Sequence, residues 1–140
     1  MSESNDHALV ARRWFLVAHR DILSADACLD APEPIPETAA YHCQQAVEKL
    51  IKGLLALARV PFRKTHDLEA LRDLVVPHFP NLETMIDRLV PVTDWGHAFR
   101  YPDLTGEPVP SPEELRVVLT DIRQFALIAE GLAETRLQAR

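Results

Sequence analysis

The sequence predicts an all-α protein, an up-and-down bundle of four to five helices in one domain spanning residues 1–140, and three observations carry that expectation. Apolar side chains recur every three to four residues over long stretches, the spacing that lines one face of an α-helix. The short apolar–polar alternation that marks strands is scarce. Glycine is rare, with 4 in the chain, and most of the 11 prolines cluster between the apolar stretches, where they act as stiff connectors. At 140 residues, 47% of them apolar, the chain is long enough to bury a core.

The first helix is predicted from Asp6 to Cys28, with Ala11, Trp14, Ala18, Ile22 and Ala25 on its apolar face. Three prolines between Ala31 and Pro36 then interrupt the helical pattern. The second helix is predicted to start at Pro36 or Glu37 and to run to Arg59, with a stripe of Cys43, Val47, Leu50, Leu54, Leu57 and Ala58 widened by Ala46 and Ile51. That width predicts the most buried helix of the bundle. Thr65 is the candidate N-cap of a short third helix carrying Leu68, Leu71, Leu74 and Val75, ended by Pro77 and Pro80. Asn81 is the candidate cap of the fourth, with Leu82, Met85, Ile86 and Leu89; Pro91 should kink or divide it before Trp95, Phe99, Arg100 and Tyr101. Ser111-Pro112-Glu113-Glu114 is the clearest helix start, with a capping hydroxyl, proline at the first position and acid in the first turn. The last helix then presents Leu115, Val118, Leu119, Ile122, Phe125, Ala126, Ala129 and Leu132.

Composition excludes several functions. A net charge of -6 argues against broad binding of duplex DNA, because the polyanion would be repelled. Cys28 and Cys43 are too few for a disulfide framework or a Cys-rich zinc site. His7, His19, His42 and His78 show no metal-ligand spacing, and no glycine-rich phosphate loop, nucleophile elbow or zinc-protease motif occurs. Neither a metal nor another cofactor is expected. The polar, acidic start from Met1 to His7 is unlike a secretory signal, and no stretch has the ~20 apolar residues of a membrane span. A cytoplasmic location without membrane attachment is the expectation.

The segment Tyr41-His42-Cys43-Gln44-Gln45-Ala46-Val47-Glu48-Lys49-Leu50-Ile51-Lys52 resembles the signature helix of the HEPN domain family, and Lys64-Thr65-His66-Asp67-Leu68 resembles its following motif. Trp14, Ala18, Asp21 and Ala25 match the family's first-helix pattern, and Arg100-Tyr101-Pro102 stands where the family places an Arg at the end of the fourth helix. The resemblance implies a helical bundle that pairs through its fourth-helix region and binds nucleotides or RNA. Many members are ribonucleases, and others partner minimal nucleotidyltransferases in toxin–antitoxin-like modules. The ribonuclease members resemble one another in an Arg, then four to six residues, then His. Here Arg100 is followed by Tyr101-Pro102-Asp103-Leu104-Thr105-Gly106-Glu107, without His; the last histidine of the chain is His97.

Metal-independent cleavage of RNA needs a group that moves a proton near neutral pH, for which His is the ordinary choice. The expectation is therefore a non-catalytic or weakly catalytic homodimer that binds a nucleotide or RNA end and works with a separately encoded minimal nucleotidyltransferase. Candidate binding residues are Gln45, Glu48, Lys49, Lys52, His66, Arg100 and Tyr101, with Lys49, Lys52 and Arg100 supplying charge for a phosphate. Two alternatives stand beside it. One is an endoribonuclease using Arg100 with His97; the other is a helical interaction protein without a ligand. For the polar side of the second helix a plain solvated face with a surface Glu48–Lys52 pair competes with a binding cleft. His66 could cap or pack, or could hydrogen-bond to the second helix. The homodimer is expected because the small-residue face of the first helix and the aromatic fourth helix exceed the apolar surface one bundle needs.

Overall fold

The computed structural model describes residues 3–92 and 109–139, which form five α-helices and no strand among the described residues. Helix α1 spans Glu3–Asp30, α2 Pro36–Leu57, α3 Leu68–Val75, α4 Glu83–Leu89 and α5 Pro112–Gln138. Trp95, His97, Phe99, Arg100 and Tyr101, with the continuation of the fourth helix, lie outside the described residues. None of the described helices is long and apolar enough to cross a membrane.

Helices α1, α2 and α5 form the body of the bundle. Asp21 meets Lys49 and Lys52 lies over Trp14, so α1 and α2 run antiparallel. Arg116 reaches the Leu29 carbonyl and Asp30, Arg123 bonds Asp26, and Arg12 pairs with Glu134, which sets α5 antiparallel to α1. Close approach follows from small residues: Ala8, Ala11, Ala18 and Ala25 on α1 are fully buried, as are Ala39, Ala40 and Ala46 on α2. At Gly53 the fit is tightest. A Cβ built there would stand 2.3 Å from the Phe15 ring, so the aromatic side chain occupies the space the glycine leaves. Phe15, Leu50, Ile51, Leu54, Leu89, Leu115 and Phe125 share one core with Leu68 and Leu71, each such side chain contributing about 1.5–3 kcal/mol on burial.

The predicted apolar stripes are buried with a few shifts. On α1 it is Phe15, not Trp14, that enters the core; Trp14 is half-buried at its edge. On α3, Leu74 is exposed. The cap of α3 is Asp67, whose Oδ1 accepts from the amides of Glu69 and Ala70, while Thr65 Oγ1 accepts from the Asp67 amide one step earlier. Asn81 does not cap α4; it sits in a 3-10 turn, Pro80–Leu82, that leads directly into that helix. Ser111 caps α5 as expected, accepting from the Glu114 amide at 3.2 Å. Arg72 ties α3 to α4 by donating to Asp87 and Glu83, both at 2.8 Å, and those hydrogen bonds hold the Asp87 carboxyl below its usual range.

Helix α2 ends in a Schellman motif. The Val60 amide donates to the Leu55 carbonyl at 2.9 Å and the Arg59 amide to Ala56 at 3.1 Å. Arg59 takes the left-handed position, with φ of 61°, where glycine is the ordinary residue. This fixes the direction in which the chain leaves α2 for the loop that carries His66.

The small residues of α1 are spent inside the bundle rather than left as an apolar face, and the aromatic part of the fourth helix lies outside the described residues; Leu16, Leu23, Val117 and Leu127, between 53% and 69% exposed, are the most exposed large aliphatic side chains of α1 and α5 among the described residues.

Candidate functional site

The polar residues of α2 are placed by the register of its apolar stripe. Gln44, Glu48, Ile51 and Leu55 follow the i, i+4, i+7, i+11 spacing of one helix face, so a face that is apolar at its lower end becomes polar at its upper end. Gln44, Gln45, Glu48 and Lys52 are all buried, between 2% and 8% exposed. A solvated polar face is therefore excluded. The Glu48–Lys52 pair is not a surface pair either: Lys52 Nζ donates to Glu48 Oε2 at 3.1 Å with both side chains covered.

Burial of these groups demands partners, and the network supplies them. Glu48 Oε1 accepts from His66 Nδ1 at 2.7 Å and from Gln44 Nε2 at 3.3 Å. Gln45 Nε2 donates to Gln44 Oε1 at 2.8 Å. The Lys52 ammonium lies 5.7 Å from the centre of the Trp14 ring, a cation–π contact, and Trp14 meets Phe62 edge to face with centroids 6.1 Å apart. A second group of the same composition sits between α1 and α2. Lys49 Nζ donates to Asp21 Oδ2 at 2.6 Å, and His42 Nδ1 donates to Asp21 Oδ1 at 2.9 Å.

Lys49 and Lys52 were expected to offer free charge to a phosphate. Each is instead held by a carboxylate. The structure brings together Glu48, Lys52 and His66 directly, links Gln45 to them through Gln44, and places Lys49 in the neighbouring Asp21 group; Arg100, Tyr101 and His97 lie outside the described residues. His66 does not cap α3. It bonds to α2, with its side chain 63% exposed.

A carboxylate only accepts, so the proton of this pair sits on His66 Nδ1. In the neutral ring Nε2 is then an acceptor, and the orientation is fixed by Glu48 rather than by solvent. The loop bearing His66 is anchored at its start by the Schellman motif, in its middle by Phe62 against Trp14, and at its end by the Asp67 cap. Arg63 and Lys64 on this loop are exposed and pair with no described carboxylate. Among the described residues no group of His, Cys, Asp and Glu could hold a metal ion. Cys43 is a packing residue: burial first, then Asp26, pushes its thiol up to about 12.

Sequence reasoning missed the contacts made by Gln44, Asp21 and His42. Asp21 carried a signal. It falls on the stripe Trp14, Ala18, Asp21, Ala25, and a charge on an apolar face implies a buried partner.

Among protein families, the HEPN domain matches the chain over residues 11–132. No curated protein and no solved structure matches it significantly.

Proposed function

The chain belongs to the HEPN domain family, and on that premise we propose that it binds a nucleotide or an RNA end without efficient catalysis. It does so as a homodimer and works with a separately encoded minimal nucleotidyltransferase in a toxin–antitoxin-like module. The family gives the protein a nucleotide- or RNA-related role. The finer reading rests on one observation, the network centred on Glu48. A carboxylate 2% exposed, an ammonium beside it and two amides cost several kcal/mol to take out of water, where aliphatic side chains would pack without that cost. What the network does achieve is to fix the orientation of one exposed imidazole, His66.

The binding residues are Gln45, Glu48, Lys49, Lys52 and His66, joined by Arg100 and Tyr101. In this reading Lys49 and Lys52 hold the two carboxylates in place, and Arg100 supplies charge for the phosphate. Cleavage is not part of the reading because residues 101–107 after Arg100 contain no His.

Calorimetry against mononucleotides and short single-stranded RNAs tests it. Binding should weaken with added salt, and Arg100→Ala should cost about 1.5–3 kcal/mol, the range for a hydrogen bond to a charged group. Absence of heat with every ligand would leave the ligand-free interaction protein as the better account. Light scattering at tens of micromolar protein tests the dimer, and a monomer there would remove the shared site.

A further inference from the structure

Resting on the reading that the chain binds RNA or a nucleotide, the geometry points to the loop between α2 and α3 as a ribonucleotide-backbone site. Arg63 and Lys64 take the phosphate charge there, and His66, turned by Glu48, accepts a hydrogen bond from the ribose 2′-hydroxyl.

The charge argument comes first. The two lysines of α2 are each within 3.1 Å of a carboxylate oxygen, so their charge is largely cancelled before any ligand arrives. Arg63 and Lys64 are exposed and have no described carboxylate partner. Between α2 and α3 the one acid is Asp67, whose carboxylate is engaged by the amides of α3, so Arg63 and Lys64 stand as adjacent exposed cations in a protein whose net charge is -6. Local positive charge of that kind attracts a short phosphate-bearing ligand, while the rest of the surface repels a long one.

The second argument is about donors. The amides at the start of α3 are already taken by Asp67, so the phosphate must be met by side chains, and a guanidinium next to an ammonium provides both a planar fork and a point charge. His66 is different in kind. Its Nδ1 proton is used on Glu48 at 2.7 Å, which leaves Nε2 of the neutral ring as an acceptor on a side chain 63% exposed. An acceptor beside a phosphate-binding pair suits a hydroxyl, and the hydroxyl next to a backbone phosphate is the ribose 2′-OH, the group that separates RNA from DNA. Glu48 is a positioning residue in this arrangement: without it the ring would turn freely.

The third argument is rigidity. A loop fixed at Val60, Phe62 and Asp67 loses little freedom when a ligand docks on it.

The test uses the full chain and two fluorescein-labelled 12-mers of one mixed sequence, one RNA and one DNA, with binding followed by anisotropy over a range of salt. Wild-type protein should prefer RNA by roughly two- to tenfold, the effect of one net hydrogen bond. His66→Asn keeps a donor where Nδ1 stands and removes Nε2; it should abolish the preference, bringing RNA affinity down to the level of DNA. In Arg63→Ala/Lys64→Ala both oligomers should weaken, and the slope of log affinity against log salt should fall by about 1.4, at about 0.7 per phosphate contact on a single strand. Circular dichroism confirms that the exposed substitutions leave the helices intact. An unchanged salt slope in the double variant overturns the loop as the phosphate site while RNA binding itself stands. Equal wild-type affinity for RNA and DNA overturns the hydroxyl contact. Failure of the wild-type chain to bind either oligomer overturns both this inference and the reading it rests on.

Discussion

Asp21 on α1 and Glu48 on α2 are used in the same way: each gives one carboxylate oxygen to a lysine and the other to a histidine. For Asp21 the partners are Lys49 at 2.6 Å and His42 at 2.9 Å; for Glu48 they are Lys52 at 3.1 Å and His66 at 2.7 Å. In both groups lysine and carboxylate neutralise each other, and a ring is held in a fixed orientation. The two groups differ in access, since the His66 side chain is 63% exposed and that of His42 25%. That difference is why His66 rather than His42 is assigned the ligand.

Removing Glu48 should be severe. Glu48→Ala strands the Lys52 ammonium in a site where its side chain is 8% exposed, and breaking a buried pair from one side costs about 3–5 kcal/mol. Replacing both partners, as in Glu48→Met/Lys52→Met, should restore most of that stability. Urea denaturation of the two variants measures the contrast. Equal destabilisation by both would show that the cost lies in packing rather than in the unpaired charge.

Gly53→Ala should destabilise despite alanine's better helix propensity. The added methyl would meet the Phe15 ring at 2.3 Å, and overpacking of this kind costs about 1–3 kcal/mol against a propensity gain of about 1 kcal/mol. A lower denaturation midpoint, partly recovered by adding Phe15→Leu, is the expected result. A midpoint at or above wild type means that the two helices separate readily.

Arg59→Gly should act in the opposite direction. Arg59 has φ of 61° at the end of α2, a conformation that costs a side-chain-bearing residue about 1–2 kcal/mol. Glycine removes that strain but adds freedom to the unfolded chain and gives up the interaction Arg59 makes, so a net gain below about 1 kcal/mol is expected. Thermal unfolding reads it as a higher midpoint.

Alkaline stability should depend on Cys43. Burial raises the folded thiol from 9.0 to about 12. An unfolded chain gives up this proton near pH 9 while the folded chain retains it. Stability is therefore fully present below pH 9 and is lost as pH rises from there toward 12, by at most about 1.4 kcal/mol per pH unit. Cys43→Ala lowers stability at neutral pH by leaving a small cavity, but its alkaline limb should be flatter. Parallel limbs in urea titrations from pH 8 to 11 would place the titrating group elsewhere.

The helices were legible in the sequence where local chemistry decides them. Pro36 opens α2 and Ser111 caps α5 as read, because a proline or a capping hydroxyl acts within one turn. Thr65 and Asp67 are both competent caps two residues apart, and only the path of the loop selects Asp67. Trp14 and Phe15 are adjacent apolar positions, and the space at Gly53 selects Phe15 for the core. The site was legible as a set of residue types on α2, and less so as an arrangement. Asp21 finds Lys49 28 residues away, and Glu48 finds His66 18 residues away. Such pairings depend on how α1 and the loop are laid over α2, which periodicity does not encode.

Nuclear magnetic resonance of the wild-type chain, following backbone amides and the histidine rings as a short single-stranded RNA is added, tests the binding account most directly. The account predicts shifts concentrated at Arg63, Lys64 and His66, with smaller changes along the buried face of α2 through Glu48, and none at Val117 or Leu127 on the outside of α5. A spectrum that does not move at millimolar RNA, or one that moves only on the outer faces of α1 and α5, would contradict it.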